Sequence, residues 1–274
     1  MTGDDLRRGQ VALVTGGSQG IGFAVAHTLL SVGMSVAIVA RDHVKLNDAV
    51  TQLERVGPGR VIGVPADVAD EASVASAVTN VVSRLGGIDV LVTSAGTSMR
   101  APKALVETST QEWTRLVDAN LTGTYFTVRA VLAEMERASS GYVITIMSTA
   151  AFHAGAQSGL YAATKFGVRA LTESLIEEYR GTGIRISSIS PGPVDTSIWD
   201  LKVEPPTDSD RAHMLRPDDI AQTVAWLLSR PPHMHIQDIT VTPWTTATQG
   251  RRTGADHDAN HPPASPPARK GPHQ

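Results

Sequence analysis

Short apolar runs that do not alternate with polar residues recur along this chain, and each is followed by a longer stretch of helical period. The runs are Val11–Thr15, Ser35–Ala40, Val61–Pro65, Ile88–Thr93, Tyr142–Met147, Ile184–Ser190 and His235–Thr242. A strand wetted on one face alternates apolar with polar residues, whereas a Val/Ile-rich run without alternation fits a strand covered on both faces. The intervening stretches predict helices over Gly20–Val32, His43–Val56, Glu71–Leu85, Gln111–Ala138, Gly159–Tyr179 and Pro217–Ser229. Repeated strand–helix–strand units imply a parallel sheet with right-handed crossovers. The expected fold is therefore α/β: a single-domain, doubly wound parallel sheet flanked by helices on both faces.

With 274 residues, this pattern fills one large domain, expected over 1–249. Residues 250–274 are rich in Pro, Gly, Ala and His without apolar period, and read as a disordered tail. His257 and His261 in that tail have a spacing that metal sites use, but no metal is expected. Leu201–His213 has prolines, acids and no clear period, and reads as a long loop of the kind that forms lids. The absence of cysteine excludes a disulfide scaffold, a thiolate metal site and a cysteine nucleophile. A net charge of −3 and 4% aromatic residues argue against nucleic-acid partners. The charged start and the lack of any long apolar run point away from a targeting segment or a membrane span, so a cytoplasmic protein is expected.

Thr15-Gly16-Gly17-Ser18-Gln19-Gly20-Ile21-Gly22 follows the first strand and opens the first helix. Glycine permits positive φ and close approach of a ligand to the backbone. The free N–H groups and dipole of a helix start favour an anion, and a dinucleotide pyrophosphate is the natural guest of such a turn. Taken alone, the turn fits tight strand–helix packing equally well. In this context the sheet is expected to be of Rossmann type, with Gly16, Ser18, Gln19, Gly20 and Ile21 as cofactor-binding residues. The end of the second strand, where a ribose-binding acid would stand, holds Ala40 and Arg41. A guanidinium there grips a 2′-phosphate, which favours NADP over NAD. Asp42 reads as the cap of the next helix.

Tyr161 and Lys165 stand four apart, on one face of a helix. Ser148 sits just past the fifth strand, at the carboxyl edge of the sheet where ligands bind. Asn120 interrupts a long helical stretch in which it is a mediocre helix former. These pieces together resemble the short-chain dehydrogenase/reductase family. Thr15-Gly16-x-x-x-Gly20-x-Gly22, Asp67-Val68, Ala95-Gly96, Asn120, Ser148, Tyr161-x-x-x-Lys165 and Pro191-Gly192 stand in that family's order over roughly residues 10–245.

The resemblance implies a catalytic tetrad of Asn120, Ser148, Tyr161 and Lys165, with NAD(P) as the hydride carrier. It implies that Asp67 and Val68 border the adenine and that Ser94, Ala95 and Gly96 lie beneath the cofactor. Pro191, Gly192, Val194 and Thr196 would line the nicotinamide side, and Lys165 would also bind the nicotinamide ribose. The chemistry has a separate physical reason. A phenol with an ordinary pKa of about 10 is a slow acid–base catalyst near neutrality. An ammonium about 4 Å away, at an effective dielectric near 20, favours the phenolate by about 4 kcal/mol. Ser148 would donate to the developing oxyanion, and Asn120 would hold a water that passes protons to Lys165.

Two departures bear on the details. Thr93 and Ser94 stand where the family usually has two asparagines, and Gln19 stands where NADP-preferring relatives often carry a basic residue. Phosphate recognition therefore leans on Arg41, helped by Ser18 and Gln19. Substrate contacts are expected from Ser148, Tyr161, His153 and Trp199, with Thr149, Gln157 and Met214 nearby. This mix is mainly neutral and points to a small or medium uncharged ketone or alcohol, as for a carbonyl reductase. For His153, a simple loop histidine is the favoured reading over a specificity residue. The alternatives are a 3-oxoacyl-thioester reductase and a non-catalytic NADPH-binding sensor. A homo-oligomer, tetramer or dimer, is expected from the resemblance.

Overall fold

Each apolar run supplies side chains to two cores, because successive residues of a strand point to opposite faces. The computed structural model describes residues 9–57 and 60–244. Its strands are β1 Val11–Thr15, β2 Ser35–Ala40, β3 Val61–Pro65, β4 Val90–Thr93, β5 Gly141–Ile146, β6 Ile184–Pro191 and β7 Asp238–Val241. The helices are α1 Gly20–Ser31, α2 His43–Leu53, α3 Glu71–Leu85, α4 Thr110–Val117, α5 Gly123–Ala138, α6 Gly159–Glu178, α7 Asp208–Arg211 and α8 Pro217–Leu228. Ala12 and Val14 of β1 pack into the cluster that holds the apolar faces of α1, α2 and α8. Val11 and Leu13 of the same strand pack into the cluster that holds α3, α5 and part of α6. Each fully buried Val, Leu or Ile contributes about 1.5–3 kcal/mol, which is why both faces must be covered.

All the strands pair in parallel, in the order β3-β2-β1-β4-β5-β6-β7. The sequence order reverses direction between β1 and β4, which opens the crevice where ligands bind in such sheets. Thr15, the last residue of β1, lies between Val39 of β2 and Thr93 of β4. Its hydroxyl accepts from the backbone N–H groups of Ser94 and Ala95, at 3.1 and 3.2 Å. One side chain thus ties together the two loops that flank the crevice.

Two predicted elements differ from the structure. The continuous helix expected over Gln111–Ala138 is α4 and α5 joined by a π turn at Asp118–Thr122. The stretch Leu201–His213 is not all loop: α7 forms there, with Thr207 and Asp210 in a reciprocal capping box. Asp42 caps α2 by accepting from the N–H groups of Val44 and Lys45. The tail expected at 250–274, with His257 and His261, lies outside the described residues. Among the described residues, no helix is long and apolar enough to cross a membrane.

Candidate active site

The glycine turn runs from β1 into α1 with Gly16 and Gly20 at positive φ, 67° and 56°. The Gly16 N–H donates to the Val39 carbonyl at 2.8 Å, which folds the turn back over the end of β2. A Cβ at Gly16 would lie 2.9 Å from Ala95 Cα, and one at Gly22 would fall on the Gly16 carbonyl. A side chain at Gly16 would collide with the loop after β4, and one at Gly22 with the backbone of the turn itself. Gln19 occupies the N-cap of α1 without capping it through its side chain, so the helix start presents bare N–H groups.

The crevice above this turn is a cleft of about 590 Å³. Gly16, Ser18, Gln19, Gly20 and Ile21 line one side, and Ser94, Ala95 and Gly96 another. Arg41, Asp67 and Val68 form its far end. Lys45, in the first turn of α2, also lines that end and was not singled out from the sequence. The only signal for it was its place three residues after the capping Asp42. The acid next to Arg41 in sequence, Asp42, is engaged in capping α2, and the fold brings a second one: the Asp67 carboxylate lies 3.6 Å from the Arg41 guanidinium.

A second cleft of about 230 Å³ adjoins the first. Ile21, Thr196 and Ile198 line both, so the two form one continuous groove. Ser148 and Tyr161 stand on its wall, with Pro191, Gly192, Val194 and Trp199 around them. Ser148 is held by the short 3₁₀ turn that follows it: its Oγ accepts from the Ala150 N–H at 3.1 Å. Lys165, 8% exposed, lies behind Tyr161. Its ammonium is 5.8 Å from the Tyr161 ring centre and donates to the Ile146 carbonyl at 3.4 Å.

Asn120 is 1% exposed and sits in the π turn. Its Oδ1 accepts from the Thr97 N–H at 2.7 Å, and its Nδ2 donates to the Thr97 carbonyl at 2.9 Å and to Thr164 Oγ1 at 3.1 Å. Both Nδ2 hydrogens are therefore used, and the side chain clamps the loop after β4 to α6. π turns inside α-helices concentrate at functional sites.

The structure does not bring every expected residue to the groove. His153 is exposed, in the turn after Ser148, and lines neither cleft. Gln157 and Met214 also lie outside both. Trp199 does reach the smaller cleft, its indole N–H donating to the Val194 carbonyl at 2.8 Å. Ser98 and Lys202 line that cleft without having been foreseen. They are 104 positions apart, and no local sequence signal joins them.

Residues 10–206 match the model of the short chain dehydrogenase family. An uncharacterised oxidoreductase of Staphylococcus saprophyticus is 35% identical over 234 residues, which cover 85% of this chain and 97% of the relative. Among solved structures, an alcohol dehydrogenase from the archaeon Thermococcus sibiricus, complexed with 5-hydroxy-NADP, superposes with a TM-score of 0.77. It is 30% identical, over 85% of this chain and 95% of the other. A metagenomic short-chain oxidoreductase in complex with NADP gives a TM-score of 0.75 and 32% identity, over 86% and 98%.

Proposed function

The chain belongs to the short-chain dehydrogenase/reductase family, and from that membership we propose that it is an NADP(H)-dependent oxidoreductase interconverting a ketone and a secondary alcohol, with Tyr161 as the acid/base. The observation that carries this reading is the groove itself. Ser148 and Tyr161 share one wall, the Lys165 ammonium lies behind the phenol, and the same groove runs on to the glycine turn.

The residues present suit a dinucleotide. The glycine floor and the bare start of α1 suit its pyrophosphate, and Asp67, Val68 and Ser94–Gly96 suit the adenosine side. Arg41 and Lys45 at the far end support NADP over NAD, as do the two NADP-type complexes among the similar structures. When bound, the nicotinamide supplies or accepts a hydride at the substrate carbon.

The chain's own residues handle the oxygen. The Tyr161 hydroxyl gives a proton to the carbonyl oxygen during reduction and takes it back during oxidation. Ser148 accepts from Ala150 and keeps its own proton to donate to that oxygen as charge develops. Lys165, buried beside the ring, stabilises the phenolate by its charge. Asn120 acts as a positioning residue, holding the Thr97 loop against α6.

Homo-oligomerisation through α5 and α6 is part of the same reading. It is supported by the exposed rings of Tyr125 and Phe166 and by a groove of about 440 Å³ between these helices, lined by Val128, Leu132 and Leu175. A panel of ketones and secondary alcohols, assayed with NADP(H) and NAD(H), tests the proposal. Carbonyl-dependent NADPH oxidation is expected. Tight NADPH binding with no turnover across the panel would instead favour a sensor.

A further inference from the structure

Lys202 is the one lysine in the stretch between β6 and α8, and no clear period in that stretch assigns it a role. The fold carries it into the cleft that holds Ser148 and Tyr161. Its ammonium donates to Ser98 Oγ at 2.9 Å and to the Met99 carbonyl at 2.5 Å, and stands 5.4 Å from the Trp199 ring centre. The side chain is partly buried, and no carboxylate among the described residues pairs with it. Burial holds the ammonium below its ordinary range, and the nearby Arg115 charge pushes the same way. Arg115 in turn donates to Thr97 Oγ1 at 2.7 Å and to the Ser98 carbonyl at 3.1 Å, and among the described residues no carboxylate forms an ion pair with it either.

A partly buried cation without a counter-ion is costly, and a ligand anion relieves that cost. An ammonium has three N–H donors, and the protein uses two. The Ser98 hydroxyl takes a bond from Lys202 and retains its own proton to give. Both residues line the cleft, so one N–H and one O–H remain for the two oxygens of a carboxylate. The rest of that wall, including Met147, Val194 and Ile198, offers no competing charge.

We propose that Lys202 and Ser98 form a carboxylate-binding end of the substrate site, so that the carbonyl compound is an oxo acid, interconverted with its hydroxy acid. This replaces the uncharged substrate expected from the sequence. The anion site stands on its own observations; the assignment of the ligand as substrate rests on the oxidoreductase reading above. In the reduction, the carbonyl carbon gains a hydride from NADPH and its oxygen gains a proton from Tyr161. NADP⁺ and the alcohol are the products, and the carboxylate is unchanged.

The test compares 2-oxo, 3-oxo and 4-oxo carboxylates with their methyl esters, using NADPH and the full chain as wild type, Lys202→Met, Lys202→Arg and Ser98→Ala. A charge-assisted hydrogen bond of this kind corresponds to about 10–100-fold in kcat/KM. The wild type is expected to favour at least one acid over its ester by that factor. Lys202→Met is expected to abolish the preference, Lys202→Arg to keep most of it, and Ser98→Ala to reduce it. Damage to the loop lowers acid and ester together and leaves their ratio unchanged. A wild type that reduces carbonyl compounds but favours no acid, or a ratio unaltered in Lys202→Met, overturns the proposal. Calorimetry with 3-phenylpropanoate and its primary amide, in the presence of NADP, separates this inference from the oxidoreductase reading. If no carbonyl is turned over, the oxidoreductase reading fails. Tighter binding of the carboxylate, lost in Lys202→Met, still upholds the anion site, and equal binding of both probes overturns it.

Discussion

The Arg41 guanidinium lies 3.6 Å from the Asp67 carboxylate, across the carboxyl ends of β2 and β3. Arg41 is largely exposed and Asp67 partly so, and the pair itself contributes little to stability. In the NADP site proposed above, a 2′-phosphate would compete with Asp67 for Arg41, so the carboxylate would set how much of the guanidinium is available. Arg41→Ala is expected to weaken NADPH about 10–100-fold and NADH less than about threefold. Asp67→Asn is expected to tighten NADPH relative to NADH. Fluorescence titration of both cofactors checks this, and equal losses for the two in Arg41→Ala contradict the assignment.

Tyr161→Phe removes the hydroxyl proposed above as the proton donor and keeps the ring. Turnover is expected to fall about 10²–10⁴-fold while NADPH affinity stays within about twofold. Steady-state kinetics and a cofactor titration on the same preparation measure both, and a fully active variant refutes the acid/base role.

Asn120 is almost fully buried and makes three hydrogen bonds. Asn120→Leu leaves the Thr97 N–H and carbonyl without those partners, at an expected cost of about 2–4 kcal/mol in denaturant unfolding. An unchanged midpoint and slope would show that the clamp is not structural.

Tyr179, just past the end of α6, donates to Glu136 Oε1 on α5 at 2.5 Å. Burial, and then the Glu136 carboxylate, push its phenol up to about 12. A raised pKa means that the folded state holds the proton more tightly than the unfolded state. The contribution is therefore complete below about pH 10 and is lost between about pH 10 and 12. Thermal unfolding across that range is expected to fall more steeply in the wild type than in Tyr179→Phe. Parallel curves would contradict the assignment.

How far the sequence reveals these features depends on the range of the interaction. The strands are legible because an unbroken run such as SVAIVA can only be covered on both faces. The glycine turn, Ser148, and the Tyr161/Lys165 spacing are local, so order and spacing expose them. Asn120 was visible as a poor helix former, but the π turn that accommodates it was not, since tertiary bonds to Thr97 and Thr164 hold it in place. The approach of Asp67 to Arg41 and of Lys202 to Ser98 depends on how separate loops converge over the sheet, and no short-range pattern carries that information. His153 shows the converse: it is close to Ser148 in sequence, yet the turn after Ser148 leaves it in solvent.

The π turn between α4 and α5 amounts to one residue more than an ordinary helix would use there. Each residue advances a helix by about 100°, so that extra unit offsets the winding of everything before it from everything after it. Shortening Asp118–Thr122 by one position would restore a regular coil. It would also swing α4 by about a quarter turn relative to α5, carrying the buried Leu116 out of its contact with Met99 and Leu160. The local irregularity is thus a phase adjustment that lets one continuous rod serve the site at one end and the core at the other.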